Sequence, residues 1–166
     1  MRHRVLLAAW VVLLLLAAGP VGAQQQVSMP DAQKIVLLVR NSLLTLNDAL
    51  QTGNYTVLRD QGAPEFREAN SAARLAEIFS ALAAKNVDLS AVAVISPKLS
   101  EAPGLDKANG MLHLKGQFPG EPFPINFELL YQAVNGRWRL FGISVSPGEV
   151  AVAEPKAPNT ISVEKN

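Results

Sequence analysis

Asp48, Tyr55, Asp60 and Glu65 crowd into the stretch LNDALQTGNYTVLRDQGAPEF, positions 46–66, and are the residues whose types could do chemistry. Carboxylates and a phenol held close together can divide general-acid and general-base work, provided burial or a charged neighbour moves their pKa values toward neutrality. The question is therefore whether the chain buries them.

The helical pattern around them answers mostly no. Pro30 and Asp31 after Ser28 mark a helix start, and Gly53 marks its end near Thr52. At 100° per residue, Ile35, Val36, Leu38, Val39, Ser42, Leu43, Leu46, Ala49 and Leu50 share one broad apolar face. A face that wide fits a helix embraced by a curved sheet. Asp48 falls on the other side with Lys34, Arg40, Asn41 and Gln51, as do Leu37 and Leu44. Asn54 caps a short second helix over positions 55–61, which Gly62 and Pro64 end. The sequon Asn54-Tyr55-Thr56 is better explained by that cap than by glycosylation. Asp60 lies off the Val57/Leu58 stripe, so both aspartates are expected in water. Tyr55 alone keeps a claim to a site, because it begins the segment that would border a cavity.

Other chemistries lack their parts. The chain has no cysteine and two histidines, His3 and His113. A metal pair or triad would have to be built on His113, which alternation turns to a sheet exterior. Nucleophile-elbow, phosphate-loop and dinucleotide fingerprints are missing. No cofactor is expected.

The elements that position these residues follow from periodicity. A third helix starts at Asn70 or Ser71 and ends near Lys85, with Leu75, Ile78, Phe79 and Leu82 as its apolar stripe. Four strands are expected: SAVAVIS (90–96), MLHLKGQF (111–118), INFELLYQAV (125–134) and RWRLFGISV (137–145). The last two are joined by Asn135-Gly136, the dipeptide suited to a type I′ hairpin turn. Extending that turn's register pairs Tyr131 with Leu140, Leu129 with Gly142 and Phe127 with Ser144. Phe127, Leu129, Tyr131, Trp138, Leu140 and Ser144 then face the helices, along with Leu112, Leu114 and Phe118. Tyr55, Phe127, Tyr131, Trp138 and Ser144 become the candidates for a pocket at the open end of the sheet. The opposite face collects Leu130, Arg139, Phe141 and Ile143, the candidates for a partner surface or a homodimer.

The fold class is thus α+β, with three N-terminal helices in the concave face of a bent four-stranded antiparallel sheet. It occupies positions 29–146, after a short arm at 24–28. The segment before it reads as a signal peptide over 1–23: MRHR, an apolar run at 5–18, a Gly19-Pro20 break and small residues ending at Ala23. The run stops short of the ~20 residues that span a bilayer. Cleavage would make the protein secreted or periplasmic; retention would make it a membrane-anchored accessory subunit. Removing Arg2 and Arg4 leaves 13 of the 15 basic side chains against 14 acidic ones, a formal charge of −1. That is no footprint for nucleic acid. Positions 147–166, with several prolines and few large apolar groups, read as a disordered tail.

The pairing of Ala49-x-x-x-Gly53-Asn54 at the end of a long helix with Gly136-x-Trp138-x-Leu140 on a late hairpin resembles the nuclear transport factor 2-like superfamily. The resemblance spans about residues 29–146 and implies an α+β cone. The superfamily includes isomerase-like and dehydratase-like enzymes that place Asp, His or Tyr inside the cone, binding modules, and exported bacterial proteins of no known role. Asp48, Asp60 and His113 face the wrong way for such a site. The strand pair many members insert between the second and third helices is missing as well. The chain is therefore expected to be a non-catalytic domain binding a small apolar ligand or a protein partner. The alternative is a small lyase or isomerase using Tyr55, Asp60 or Tyr131.

Overall fold

The computed structural model describes residues 28–149 apart from Lys107. The expected signal peptide, most of the 24–28 arm and positions 150–166 lie outside the described residues. Among the described residues, five α-helices precede an antiparallel sheet of five strands, so the fold is α+β with its helices N-terminal to the sheet.

Helix α1 (Ala32–Thr52) starts and stops for local reasons. Asp31 Oδ1 accepts from the Lys34 N–H at 2.7 Å, so Asp31, and not Ser28, is the cap. Gly53 closes the helix at φ 70°, its N–H bonded to the Ala49 carbonyl at 2.9 Å. Ile35, Val39, Leu43, Leu46 and Ala49 are buried along one face, while Leu37 is exposed. Asn54 Oδ1 accepts from the Thr56 N–H at 3.0 Å and starts α2 (Thr56–Asp60). Pro64 opens α3 (Pro64–Ala69), a helix the sequence did not announce; it buries Phe66. The expected third helix is two, α4 (Ala72–Ile78) and α5 (Ser80–Ala84), broken at Phe79. Leu75, Phe79 and Leu82 are buried, but Ile78 is half exposed and leaves the stripe.

The largest departure is at residues 87–96. SAVAVIS is not a strand; Ser90–Ala93 is a single 3-10 turn laid on α1. Two α1 side chains hold it there. Asn47 Oδ1 accepts from the Leu89 N–H at 2.9 Å, and Arg40 donates to the carbonyls of Val92 (2.8 Å) and Ile95 (3.1 Å). Those side chains take the backbone groups a sheet ladder would have used. Asp88 caps the turn, and its bonds from the Ser90 N–H and hydroxyl hold its carboxyl below the usual range.

Two short strands, β1 (Lys98–Leu99) and β2 (Gly104–Asp106), pair in succession along one edge of β3 (Met111–Phe118). β3 pairs with β4 (Ile125–Val134), which pairs with β5 (Arg137–Pro147). Asn135 and Gly136 have φ 50° and 72°, as a type I′ turn requires. Leu112, Leu114, Phe118, Ile125, Phe127, Leu129 and Tyr131 face α1 and form the core with it. Fully burying each such side chain contributes ~1.5–3 kcal/mol. The strand outlasts position 146: Pro147 pairs with Ile125, and the Gly148 N–H bonds the Pro124 carbonyl at 2.7 Å.

The hairpin register changes once. Tyr131 pairs with Leu140 as the turn dictates, but Leu130 pairs with Gly142, Leu129 with Ile143 and Phe127 with Val145. Phe141 is the extra residue of a β-bulge. Because strand side chains alternate with period two, one added residue exchanges the faces of everything beyond it.

Candidate functional site

The bulge redistributes the expected site residues. Ser144 turns outward opposite Glu128 and is exposed, so it is removed from the pocket set. Ile143 turns inward beside Leu129 and packs on the core, so it is removed from the partner-surface set. Leu130, Arg139 and Phe141 remain as half-buried residues without Ile143 to complete an apolar patch. Phe127 is buried against Phe118, ring centroids 5.7 Å apart, and is core filling. Tyr55 is buried too, stacked on Phe79 at 6.2 Å with rings nearly parallel. Burial raises its phenol above the ordinary value.

Tyr131 and Trp138 do come together, in a pocket of about 390 Å³ between α1, α2 and the turn end of the hairpin. Lys34, Leu38, Asn41 and Ser42 line it from α1, Leu58 and Gln61 from the second helix and its end, Gly136 from the turn and residues 137–140 from β5. A larger cavity, about 420 Å³, lies between the 85–95 segment and the β3–β4 turn, and a groove of about 310 Å³ separates α4 and α5 from residues 143–147. The larger one contains none of the expected residues. The hairpin pocket is distinguished by the convergence of polar groups on apolar walls, the pattern of ligand sites.

Its floor is fixed by one phenol. The Tyr131 hydroxyl donates to the Leu38 carbonyl at 2.8 Å and lies 2.9 Å from Ser42 Oγ. With its single proton committed to Leu38, it accepts from Ser42. Burial raises the Tyr131 pKa far above the ordinary 10.0, outweighing the lowering by Ser42. A phenol so placed is a structural bond, and it anchors β4 to α1.

One wall is the outer edge of β5. The Leu140 carbonyl points away from β4 and accepts from the Ala63 N–H at 2.8 Å. Alternation turns the main-chain groups of Trp138 the same way, toward the pocket. Sequence reasoning missed this edge because Ala63 carries no signal that it meets Leu140. Arg139 keeps the outer-face register expected of it, opposite Gln132, while also bordering the pocket.

The expected aspartates are in water. Asp48 is exposed, and Asp60 is exposed and paired with Arg59 at 2.6 Å. His113 sits on the outer face, 3.0 Å from Glu128, which Lys115 also approaches at 3.8 Å. Among the described residues no cluster of His, Cys, Asp or Glu could hold a metal, and no helix is long and apolar enough to cross a membrane. Opposite Arg139, the Gln132 side-chain oxygen is buried with no hydrogen-bond partner among the described residues. Comparison with family models, with curated proteins and with solved structures finds no match.

Proposed function

We propose that this chain is an exported, non-catalytic member of the nuclear transport factor 2-like superfamily that binds a small ligand in the hairpin pocket. The observation that carries the reading is the state of Tyr131. Its hydroxyl is consumed by Leu38 and Ser42, and the lining around it contains neither a carboxylate nor a histidine. The pocket therefore offers walls and hydrogen-bond donors, with no group in it suited to move a proton at neutral pH. Its volume falls in the range of small-molecule sites, about 300–1,000 Å³. Leu38, Leu58, Leu140 and the Trp138 indole supply the apolar surface for a ligand's body.

The superfamily proposal is supported by Gly53 in the left-handed conformation after α1 and by Trp138 and Leu140 on the late hairpin. A lyase or isomerase would need Tyr55, Asp60 or Tyr131 free at one site. They are respectively stacked on Phe79, ion-paired in solvent and hydrogen-bonded to the helix. A homodimer through the outer sheet face would rest on Leu130, Arg139 and Phe141 alone.

Native mass spectrometry of freshly purified protein tests the reading. A bound small molecule that Trp138→Ala removes is the expected result. A ligand that survives that substitution would place the site elsewhere. Mass analysis of the exported product tests the leader, with a start at Gln24 expected.

A further inference from the structure

We infer that the distal edge of β5, residues 142–146, pairs with the same edge of a second copy of this chain across a two-fold axis at Ser144. This edge lies outside the lining of the hairpin pocket. The main-chain directions of β5 come first. The Leu140 carbonyl leaves the sheet for Ala63, so the backbone of Leu140 faces away from β4. Gly142 resumes the ladder opposite Leu130 after the bulge, and alternation then turns the N–H and C=O of Ile143 and Val145 to the outer edge. β5 ends the strand order, and among the described residues no hydrogen bond reaches those outward groups.

The two edges of the sheet are finished differently. At the other edge, β3 is covered by the short strands β1 and β2, which carry Lys98 and Asp106. Short, charged edge strands discourage further pairing. From Leu140 to Gly148 there is no charged residue. Alongside runs the groove of about 310 Å³, walled by Ile78, Ala81 and Leu82. Ile78 is 51% exposed, and Ile143 and Val145 are only half-buried, whereas Leu129 and Phe127 opposite them are 0% and 2% exposed. The core is complete as far as β4 and unfinished at β5.

The length of the open run selects the occupant. It is closed at one end by the bulge and the Ala63 contact, and at the other by Pro147, which has no N–H. Its centre is Ser144. An antiparallel copy centred there sets Ile143 opposite Val145 of the second copy, and each such pair exchanges both main-chain hydrogen bonds. Every outward group of the run is then used. Moving the axis to Ile143 or Val145 brings the bulged Phe141 or Pro147 into the ladder instead. In the Ser144 register, Ile143 and Val145 meet apolar neighbours on the inner face, the serines stay on the outer face, and no like charges oppose each other. A two-fold contact requires one patch complementary to itself, and this run is.

Sedimentation velocity of the purified protein over a concentration series is the first test, with a concentration-dependent dimer expected. Ser144→Cys then supplies the sole thiol of a chain that has no cysteine. Directly facing residues of an antiparallel pair stand ~4.5–5.5 Å apart, within disulfide reach. Mild oxidation should therefore convert Ser144→Cys to a covalent dimer, whereas Ser146→Cys, opposite Gly142 of the second copy, should stay uncrosslinked. Ser144→Lys, at a position exposed in the single chain, sets two ammonium groups against each other and should weaken the dimer roughly fivefold. A monomer at every concentration would overturn the pairing, and slow amide exchange at Ile143 and Val145 in that monomer would show the edge covered from within its own chain. A dimer that Ser144→Cys does not crosslink would place the contact elsewhere. Equal crosslinking through Ser146→Cys would overturn the Ser144 register.

Discussion

The β4–β5 hairpin has two halves that meet different parts of the molecule. In the turn half, up to the Tyr131–Leu140 pair, the outer edge of β5 faces α1, α2 and the hairpin pocket. Its inner side chains are aromatic and partly polar, and its defining contacts are hydrogen bonds: Tyr131 to Leu38 and Ser42, and Leu140 to Ala63. In the distal half, beyond Phe141, Ile143 and Val145 pack toward the core opposite Leu129 and Phe127. There the contacts are apolar, and the groove beside α4 and α5 holds no locked polar network. A single extra residue separates the two regimes, and it lets one strand serve a polar site at one end and a dry core at the other.

The comparison can be broken most severely in the distal half. Phe127→Ala should cost about 3–5 kcal/mol in denaturant unfolding, since Phe127 is buried against Phe118 and leaves a cavity. A loss below ~1 kcal/mol would mean this half is not the dry core described. The bulge itself is tested by a pair of substitutions. Ile143→Asp, which places a charge against the core, should cost at least ~2 kcal/mol, whereas Ser144→Asp should stay within ~0.5 kcal/mol. An uninterrupted register would reverse that order.

Smaller effects probe the turn half. Tyr131→Phe should cost about 1–2 kcal/mol, because Ser42 loses its partner where neither group reaches water freely. The same variant has a pH signature. The Tyr131 pKa is raised on folding, so its stabilisation is fully present below the unfolded value near 10.0 and is lost as pH rises toward the folded value. Alkaline unfolding between neutral pH and 11 should therefore be less steep in Tyr131→Phe than in the unsubstituted protein. Gly136→Ala, at φ 72°, should cost ~1 kcal/mol while leaving amide-exchange protection at Leu129 and Phe127 in place. Protection lost throughout the sheet would show that the two halves are not separable.

The site was less legible than the fold, and particular residues show why. Tyr131 and Trp138 were recognisable as pocket candidates because alternation from an Asn-Gly turn is a local rule that holds for the few residues beside it. Ser144 and Ile143 were misplaced because the same rule was carried past Phe141, where nothing local marks a bulge. Arg40 is expected on the solvent side of α1 and Asn47 carries no sequence signal, yet both bind backbone groups of residues 89–95. That placement also removed a strand whose Val/Ile composition was persuasive on its own.

By itself, the sequence determined the span of α1, the type I′ turn, the inward face of β3 and the exposure of Asp48 and Asp60. Each depends on backbone preferences or periodicity within a few residues: a left-handed glycine, two adjacent positive φ angles, an alternation, a helical sector. Only the tertiary structure decided that Tyr131 is locked, that β5 bulges, and that a pocket opens between α1, α2 and the turn end of the hairpin. Tyr131 finds its partners 89 and 93 positions away, and such pairings are chosen by how finished elements pack together. No short stretch of chain contains both sides of that choice.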